Sequence, residues 1–239
     1  MTENNIMSGI DKQEINIRDR HARTLKMTGE GGLLRLRSAM VIVIGVGGVG
    51  SYAAEAIARS GVGSITLMDG DVVAPSNLNR QLVALTSTVG KNKAEIMAER
   101  IRDIDPGIDV NALPRFYRPG DGLDLTEYTW VIDAIDDVDS KTALICNAVR
   151  NNVNIISAMG AAGKFNTTFR VDDLAKTSTC PLARVMRRRL KDAGIEHLPV
   201  VFSEEKPVPR DGELGTLSYV PGACGLTMAG YVIRQIAEI

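Results

Sequence analysis

The sequence predicts an α/β fold built on a doubly wound, mostly parallel sheet, and three observations carry that prediction. The β-branched run Met40–Ile44 ends in glycines and is followed, from Ser51 to Ser60, by alanines and Ile57 at helical spacing. The same strand signature returns at Ser64–Met68, so the first two strands must be parallel and joined by a right-handed crossover. Strands then keep alternating with helices, the pattern of a sheet covered on both faces.

Taken in chain order, Met1–Ile17 reads as a flexible tail, and Arg18–Arg37, rich in arginine and small residues, reads as one or two short helices. After the two strands, Asp71–Thr88 is a long polar loop. Lys91–Ile104 is a helix that stops before Pro106, and Asp109–Leu113 is a third strand. Trp130–Asp133 is a fourth strand, Asp139–Asn152 a helix and Asn154–Ala158 a fifth strand. Past Gly160 the alternation weakens: Lys164–Val171 reads as a strand, Pro181–Ala193 as a helix and Leu198–Ser203 as another strand. Gly222–Ile239 has the spacing of a helix that closes over the sheet, so the sheet has a C-terminal extension and a closing helix.

At 239 residues, 44% hydrophobic and 24% charged, the chain is long enough for one large α/β domain or a domain with a small annex. A formal net charge of -1 argues against general electrostatic capture of nucleic acid, while leaving room for a local basic patch. Cys146, Cys180 and Cys224 lie far apart with no C-x-x-C pair, so neither a disulfide framework nor a zinc site is expected. The start lacks the basic and apolar regions of a signal peptide, and no apolar stretch is long enough to span a membrane. A reducing cytoplasm fits this composition.

Gly45, Gly47, Gly48 and Gly50 form G-x-G-x-x-G between a strand and a helix, where glycines permit a tight turn and let phosphate approach the helix N-terminus. Asp69 closes the second strand about 20 residues further on, where a carboxylate accepts hydrogen bonds from ribose hydroxyls. Asn77, Arg80 and Lys93 would bring an amide and two cations to the same strand ends, which favours ATP over a dinucleotide. Asp136, just past the strand end at Asp133, would be repelled by polyphosphate unless a hard cation lay between them, which implies Mg²⁺. The structural alternative is that Asp136 caps the next helix.

With these residues in place, the sequence resembles a known family. Gly45–Ser51, Asp69-Gly-Asp71, Ser76–Gln81, Gly90–Ala94 and Asp133–Asp136, in that order, look like the adenylation core of ubiquitin-activating enzymes and their ThiF and MoeB relatives. The resemblance implies a Rossmann-like domain over 18–239. Within it, 18–38 would be an N-terminal helical arm, 39–160 the nucleotide-binding core and 161–239 a substrate-side extension. It assigns Asp69, with Asp71 beside it, to the ribose side, Asn77, Arg80 and Lys93 to the phosphates, and Asp136 to magnesium. Arg23 matches an arginine that reaches the neighbouring subunit's nucleotide in dimeric relatives, although those relatives usually have an aromatic residue where His21 stands. A homodimer is therefore implied, with Arg80, Lys93, Asp136 and Arg23 as its catalytic set.

Asp173–Pro181, the basic helix around Arg187, Val201–Glu205 and Gly215–Pro221 resemble the tRNA threonylcarbamoyladenosine dehydratase branch. That branch adenylates the carboxylate of the modified adenosine in tRNA and closes it into a ring, releasing pyrophosphate and AMP. The alternative within the superfamily is activation of the C-terminal glycine of a ubiquitin-like sulfur carrier, but enzymes of that type commonly carry two C-x-x-C zinc pairs that this chain lacks. Arg184, Arg187, Arg188, Arg189 and Lys191 form the densest cationic cluster and are the candidate tRNA contacts, against the plain alternative of a solvated helix face. Cys180, in a loop near basic residues, is a candidate acyl acceptor, with Pro181 as a helix start and the absence of a histidine partner arguing against it. Cys146 and Cys224 read as core thiols. The residues carry no signal for or against a sulfur-donor or cysteine desulfurase partner.

Overall fold

A computed structural model describes residues 17–239. The tail expected over 1–17 lies outside the described residues except for Ile17, which opens a short helix.

The arm consists of α1 (Ile17–Arg20) and α2 (Ala22–Ser38), the latter kinked at Gly29, whose φ of 67° is the left-handed backbone that glycine adopts without steric cost. The core then runs β1 (Met40–Ile44), α3 (Gly50–Arg59), β2 (Ser64–Met68), α4 (Lys93–Ile104), β3 (Asp109–Leu113), β4 (Trp130–Asp133), α5 (Val138–Arg150) and β5 (Asn154–Ala158). The extension adds β6 (Arg170–Asp173), α6 (Pro181–Asp192), β7 (Pro199–Phe202) and α7 (Tyr219–Ala237).

These strands form one seven-stranded sheet in the order β3-β2-β1-β4-β5-β7-β6, parallel throughout except for β6, which runs antiparallel to β7. The short apolar runs of β1, β2, β4 and β5 are buried because both of their faces are covered. Val41 and Val43 face the core beneath α3, α4 and α7, while their neighbours Ile42 and Ile44 face the core beneath α5 and α6. Trp130 meets Tyr231 edge-on, ring centroids 5.7 Å apart, which seats α7 on the middle of the sheet.

One strand differs from its expectation. The expected strand Lys164–Val171 is mostly irregular, and pairing begins only at Arg170. The Glu205 carboxylate accepts the backbone N–H groups of Phe165 and Asn166, and Gly163 bonds to Val208 and Gly215, so this segment satisfies its polar groups on the 203–218 loop instead of on a strand.

The strand order reverses between β1 and β4: the chain moves outward through β2 and β3, then returns to the middle. Helices connected to β1 and β4 leave on opposite faces, so a crevice opens beyond their carboxyl ends.

Candidate active site

That crevice is a cavity of about 530 Å³, lined from the carboxyl ends of β1, β2, β3, β4 and β5. The turn after β1 forms its floor. Gly45 has φ +90°, and a Cβ there would sit 2.6 Å from the Ala134 carbonyl oxygen; a Cβ on Gly50 would sit 1.7 Å from the Gly45 carbonyl oxygen. Gly45, Gly47 and Gly48 line the cavity, whereas Gly50 lies behind them at the start of α3.

Asp69 is buried and ties the turn to the second strand. Its Oδ2 accepts the Val46 N–H at 2.6 Å and its Oδ1 the Asp71 N–H at 2.8 Å. Burial raises its carboxyl above the usual Asp range, opposed by those two hydrogen bonds and by Lys93. Lys93, buried at the start of α4, extends its Nζ to within 2.8 Å of Asp71 Oδ2. The intervening Asn92 caps α4 by accepting from Ala94 and Glu95, and its amide donates to the carbonyls of Asp69 and Asp71. The local sequence therefore places Lys93 beside Asp69 through one bifunctional asparagine.

Arg80 lines the cavity with one guanidinium nitrogen held by the Ser76 carbonyl and the Asn79 side chain. Asn77 does not join it. It is buried, and its Oδ1 accepts the Ala74 N–H to close the 3-10 turn Pro75–Asn77, so in this structure it shapes the loop that presents Arg80. Asp136 is exposed at the cavity wall without a hydrogen bond or ion pair among the described residues. The helix cap is Asp137, which accepts the Ser140 N–H at 2.8 Å; the Ser140 hydroxyl and then this N–H hold its carboxyl below the ordinary Asp value.

The lining includes residues that the sequence reading did not single out. Phe116, Tyr117 and Arg118 follow β3, with the Arg118 guanidinium 5.2 Å from the Phe116 ring centroid. Gln81 is buried against the turn, and its amide oxygen has no partner among the described residues. The available signal was their position just past a strand end or, for Gln81, at the end of the Ser76–Gln81 motif, which assigns it no role without the fold.

Other expected sites lie apart from the cavity. Arg23 is exposed on α2 and is not part of the lining. Cys180 is buried, with its Sγ 3.3 Å from where a Cβ on Gly160 would stand, so it lies behind the wall; Pro181 does open α6. Cys146 and Cys224 are buried core thiols, and burial pushes the Cys224 thiol up to about 12. The cationic cluster of α6 divides. Arg187 donates to the Thr177 carbonyl and hydroxyl, Arg189 pairs with Asp139 at 3.2 Å, and Arg184, Arg188 and Lys191 remain exposed along one helical stripe.

The cavity combines the glycine turn at the start of α3, the buried carboxylate of Asp69, the cations Arg80, Lys93 and Arg118 and the unpartnered carboxylate of Asp136, an arrangement suited to a nucleoside polyphosphate.

Comparison with known proteins agrees with this geometry. The ThiF family profile matches residues 19–239. A tRNA threonylcarbamoyladenosine dehydratase of Bacillus subtilis is 40% identical over 88% of this chain and 91% of its own. The Escherichia coli tRNA N6-threonylcarbamoyladenosine dehydratase in complex with AMP superposes with a TM-score of 0.87 at 39% identity, covering 92% of this chain and 95% of that one. The same protein in complex with ATP superposes at 0.86, also at 39% identity and with the same coverage. The chain belongs to the ThiF family and, within it, to the group of the tRNA threonylcarbamoyladenosine dehydratases.

Proposed function

We infer that this chain is an ATP-dependent enzyme that adenylates the carboxylate of threonylcarbamoyladenosine in tRNA and dehydrates it to the cyclic form. The observation that carries this reading is the convergence of the glycine turn, Asp69, Arg80, Lys93 and Asp136 on one cavity, in a chain whose relatives bear that activity in their names.

A carboxylate is a poor electrophile. Its oxygen attacks the ATP α-phosphorus, the bond to the bridging oxygen breaks and pyrophosphate leaves, giving an acyl adenylate. A nitrogen of the substrate's own carbamoyl group then attacks the activated carbonyl, AMP leaves with the former carboxylate oxygen, and the nitrogen loses its proton. The net loss is one water. The chain's task is to hold the groups in line and neutralise phosphate charge. Ribose hydroxyls add to the acceptor sites left on Asp69, since a carboxylate has about four. Lys93 exchanges Asp71 for a phosphate oxygen, and the free nitrogens of Arg80 take another. Asn77 acts through the Arg80 loop.

The donor set fits magnesium. The cavity presents Asp69, Asp71, Asp136 and Asp137 against Arg80, Lys93 and Arg118, so an incoming polyphosphate meets more carboxylates than cations. Asp136, together with phosphate oxygens, would hold a magnesium ion, which would supply the missing positive charge in the usual manner of one or two carboxylates plus substrate. All three cysteines are buried, which favours direct ring closure over a thioester on Cys180.

In this reading the enzyme works in the cytoplasm as a homodimer; Arg23 serves the partner's site, and the exposed stripe of α6 contacts tRNA. No helix among the described residues is long and apolar enough to cross a membrane. The test is incubation with ATP, Mg²⁺ and tRNA carrying threonylcarbamoyladenosine, followed by mass spectrometry of the nucleosides. The expected product is lighter by one water. Pyrophosphate exchange that depends on a sulfur-carrier protein and ignores tRNA would overturn the reading.

A further inference from the structure

One of the largest side chains with essentially no exposed surface is a lysine. Lys141, in the first turns of α5, has its Nζ 2.9 Å from Oδ2 of Asp133, the last residue of β4, and both side chains are fully buried. Ser157, opposite Asp133 in the register of β5, donates to the same oxygen at 2.6 Å. The remaining contacts converge on one residue. Lys141 Nζ donates to the Ile135 carbonyl at 2.8 Å, and Asp133 Oδ1 accepts the Ile135 N–H at 3.1 Å. Both polar backbone groups of Ile135, the residue directly before Asp136, are held by this pair.

Stability alone does not account for the arrangement. Two buried charges give up their hydration, and apolar residues of similar volume often serve the fold as well or better. What an apolar pair cannot do is grip both the N–H and the C=O of one loop residue. The three carboxylates at the end of β4 thus have separate fates: Asp133 is buried in the ion pair, Asp137 caps α5, and Asp136 between them is exposed and unpartnered.

We propose that Lys141 and Asp133 are positioning residues that fix the Ile135–Asp136 backbone so that Asp136 is presented to the magnesium-bound phosphates, an inference that rests on the reading of Asp136 above. They touch neither substrate nor metal. Their action resembles that of the outer-shell partners of ligating carboxylates, whose loss typically weakens metal affinity about 10–100-fold.

The test uses the full chain and the non-hydrolysable α,β-methylene analogue of ATP, with affinity measured in EDTA and across a magnesium titration, alongside thermal melting. Lys141→Met leaves Asp133 buried without its partner, so its melting temperature falls. Asp133→Asn/Lys141→Met removes both charges at similar volume and recovers most of that loss. Both variants are expected to bind the analogue in EDTA like the wild type, while the magnesium concentration for half-maximal affinity rises about tenfold or more. A double variant that keeps the wild-type magnesium response, or that does not fold, overturns the positioning role and makes the pair a determinant of the fold. Asp136→Ala is the reference. If it keeps the magnesium response, the metal reading of Asp136 falls and the inference with it; if it loses the response while the double variant keeps it, the inference alone falls.

Discussion

Gly47 and Gly50 sit in one motif yet answer to different constraints. A methyl group at Gly50 would meet the Gly45 carbonyl oxygen at 1.7 Å, which no side-chain adjustment relieves. At Gly47 the nearest atom is the flexible amide nitrogen of Gln81, at 3.6 Å, and φ there is not positive. Gly50→Ala should therefore lower stability by about 3 kcal/mol or more, since backbone must move. Gly47→Ala should leave stability within about 1 kcal/mol, because the new methyl finds room and the unfolded chain loses freedom. Its methyl would nevertheless stand on the cavity floor, so ATP affinity should drop while the melting temperature holds. Thermal melts and ATP titrations on the two variants separate these roles; equal melting temperatures would contradict the close approach. The spacing of the four glycines was readable in the sequence because a strand-turn-helix corner is a local object. Which glycine serves packing and which serves ligand was not: Gly50 is crowded by the turn's own Gly45 carbonyl once the turn is folded, while the surroundings of Gly45 and Gly47 are set by Ala134 and Gln81, far away in the chain.

At the scale of elements, the arm is fastened to α4 through Asp105. This buried carboxylate accepts from Arg37 at 3.2 Å and from Gly107 N–H at 2.9 Å, stands 3.1 Å from His21 Nε2, and pairs with Arg20. His21 fills the place that the family resemblance gives to an aromatic residue, and its ring and the Leu33 side chain both lie close to Gly61. Asp105→Ala strands several donors and should cost about 2–4 kcal/mol. Burial pushes the Asp105 carboxyl up, but the Gly107 and His21 hydrogen bonds with Arg20 and Arg37 outweigh it and hold the carboxyl below the ordinary value of 3.8. Its contribution is thus complete above that value and is lost as pH falls through the lower folded value. Hydrogen exchange at acid pH should show α1 and α2 opening before the sheet, and simultaneous opening would refute the tie. In α6, Arg188→Ala with Lys191→Ala should weaken tRNA binding and flatten its salt dependence, whereas Arg187→Ala should mainly lower the melting temperature by releasing Thr177. Filter binding over a salt series decides between them. Strands β1, β2, β4 and β5 were legible because each is a short apolar run, largely β-branched and buried on both faces, β3 because it follows the helix that stops before Pro106, and α6 because Pro181 marks its start. The strand expected at Lys164–Val171 misled because edge pairing with β7 and the grip of Glu205 are set by distant residues. Likewise, the division of the α6 cations follows from what packs beside the helix, which its charge run does not record.

At the scale of the whole molecule, Arg23 is the expected catalytic residue that the single chain leaves outside the cavity. It is exposed on α2, which is anchored by Arg35 to the carbonyls of Ile236 and Ala237 at the end of α7 and by Asp105 to α4. An arm held at both ends does not swing freely into its own site. In a two-fold assembly, however, the same anchoring would offer the guanidinium rigidly to the neighbouring cavity, joining dimer formation to catalysis. Complementation tests this. Arg23→Ala and Asp136→Ala chains, each inactive alone, are mixed under conditions that exchange subunits, and AMP formation is followed with the tRNA substrate. If Arg23 acts across the interface, one site of each mixed dimer takes Asp136 from one chain and Arg23 from the other, so activity returns toward about half per mixed dimer by the symmetry of the pair. If Arg23 serves its own chain, every site in the mixed dimer lacks one residue and stays inactive. Mixed dimers demonstrated by native mass spectrometry yet lacking activity would therefore remove Arg23 from the partner's site and leave it a surface residue of the arm.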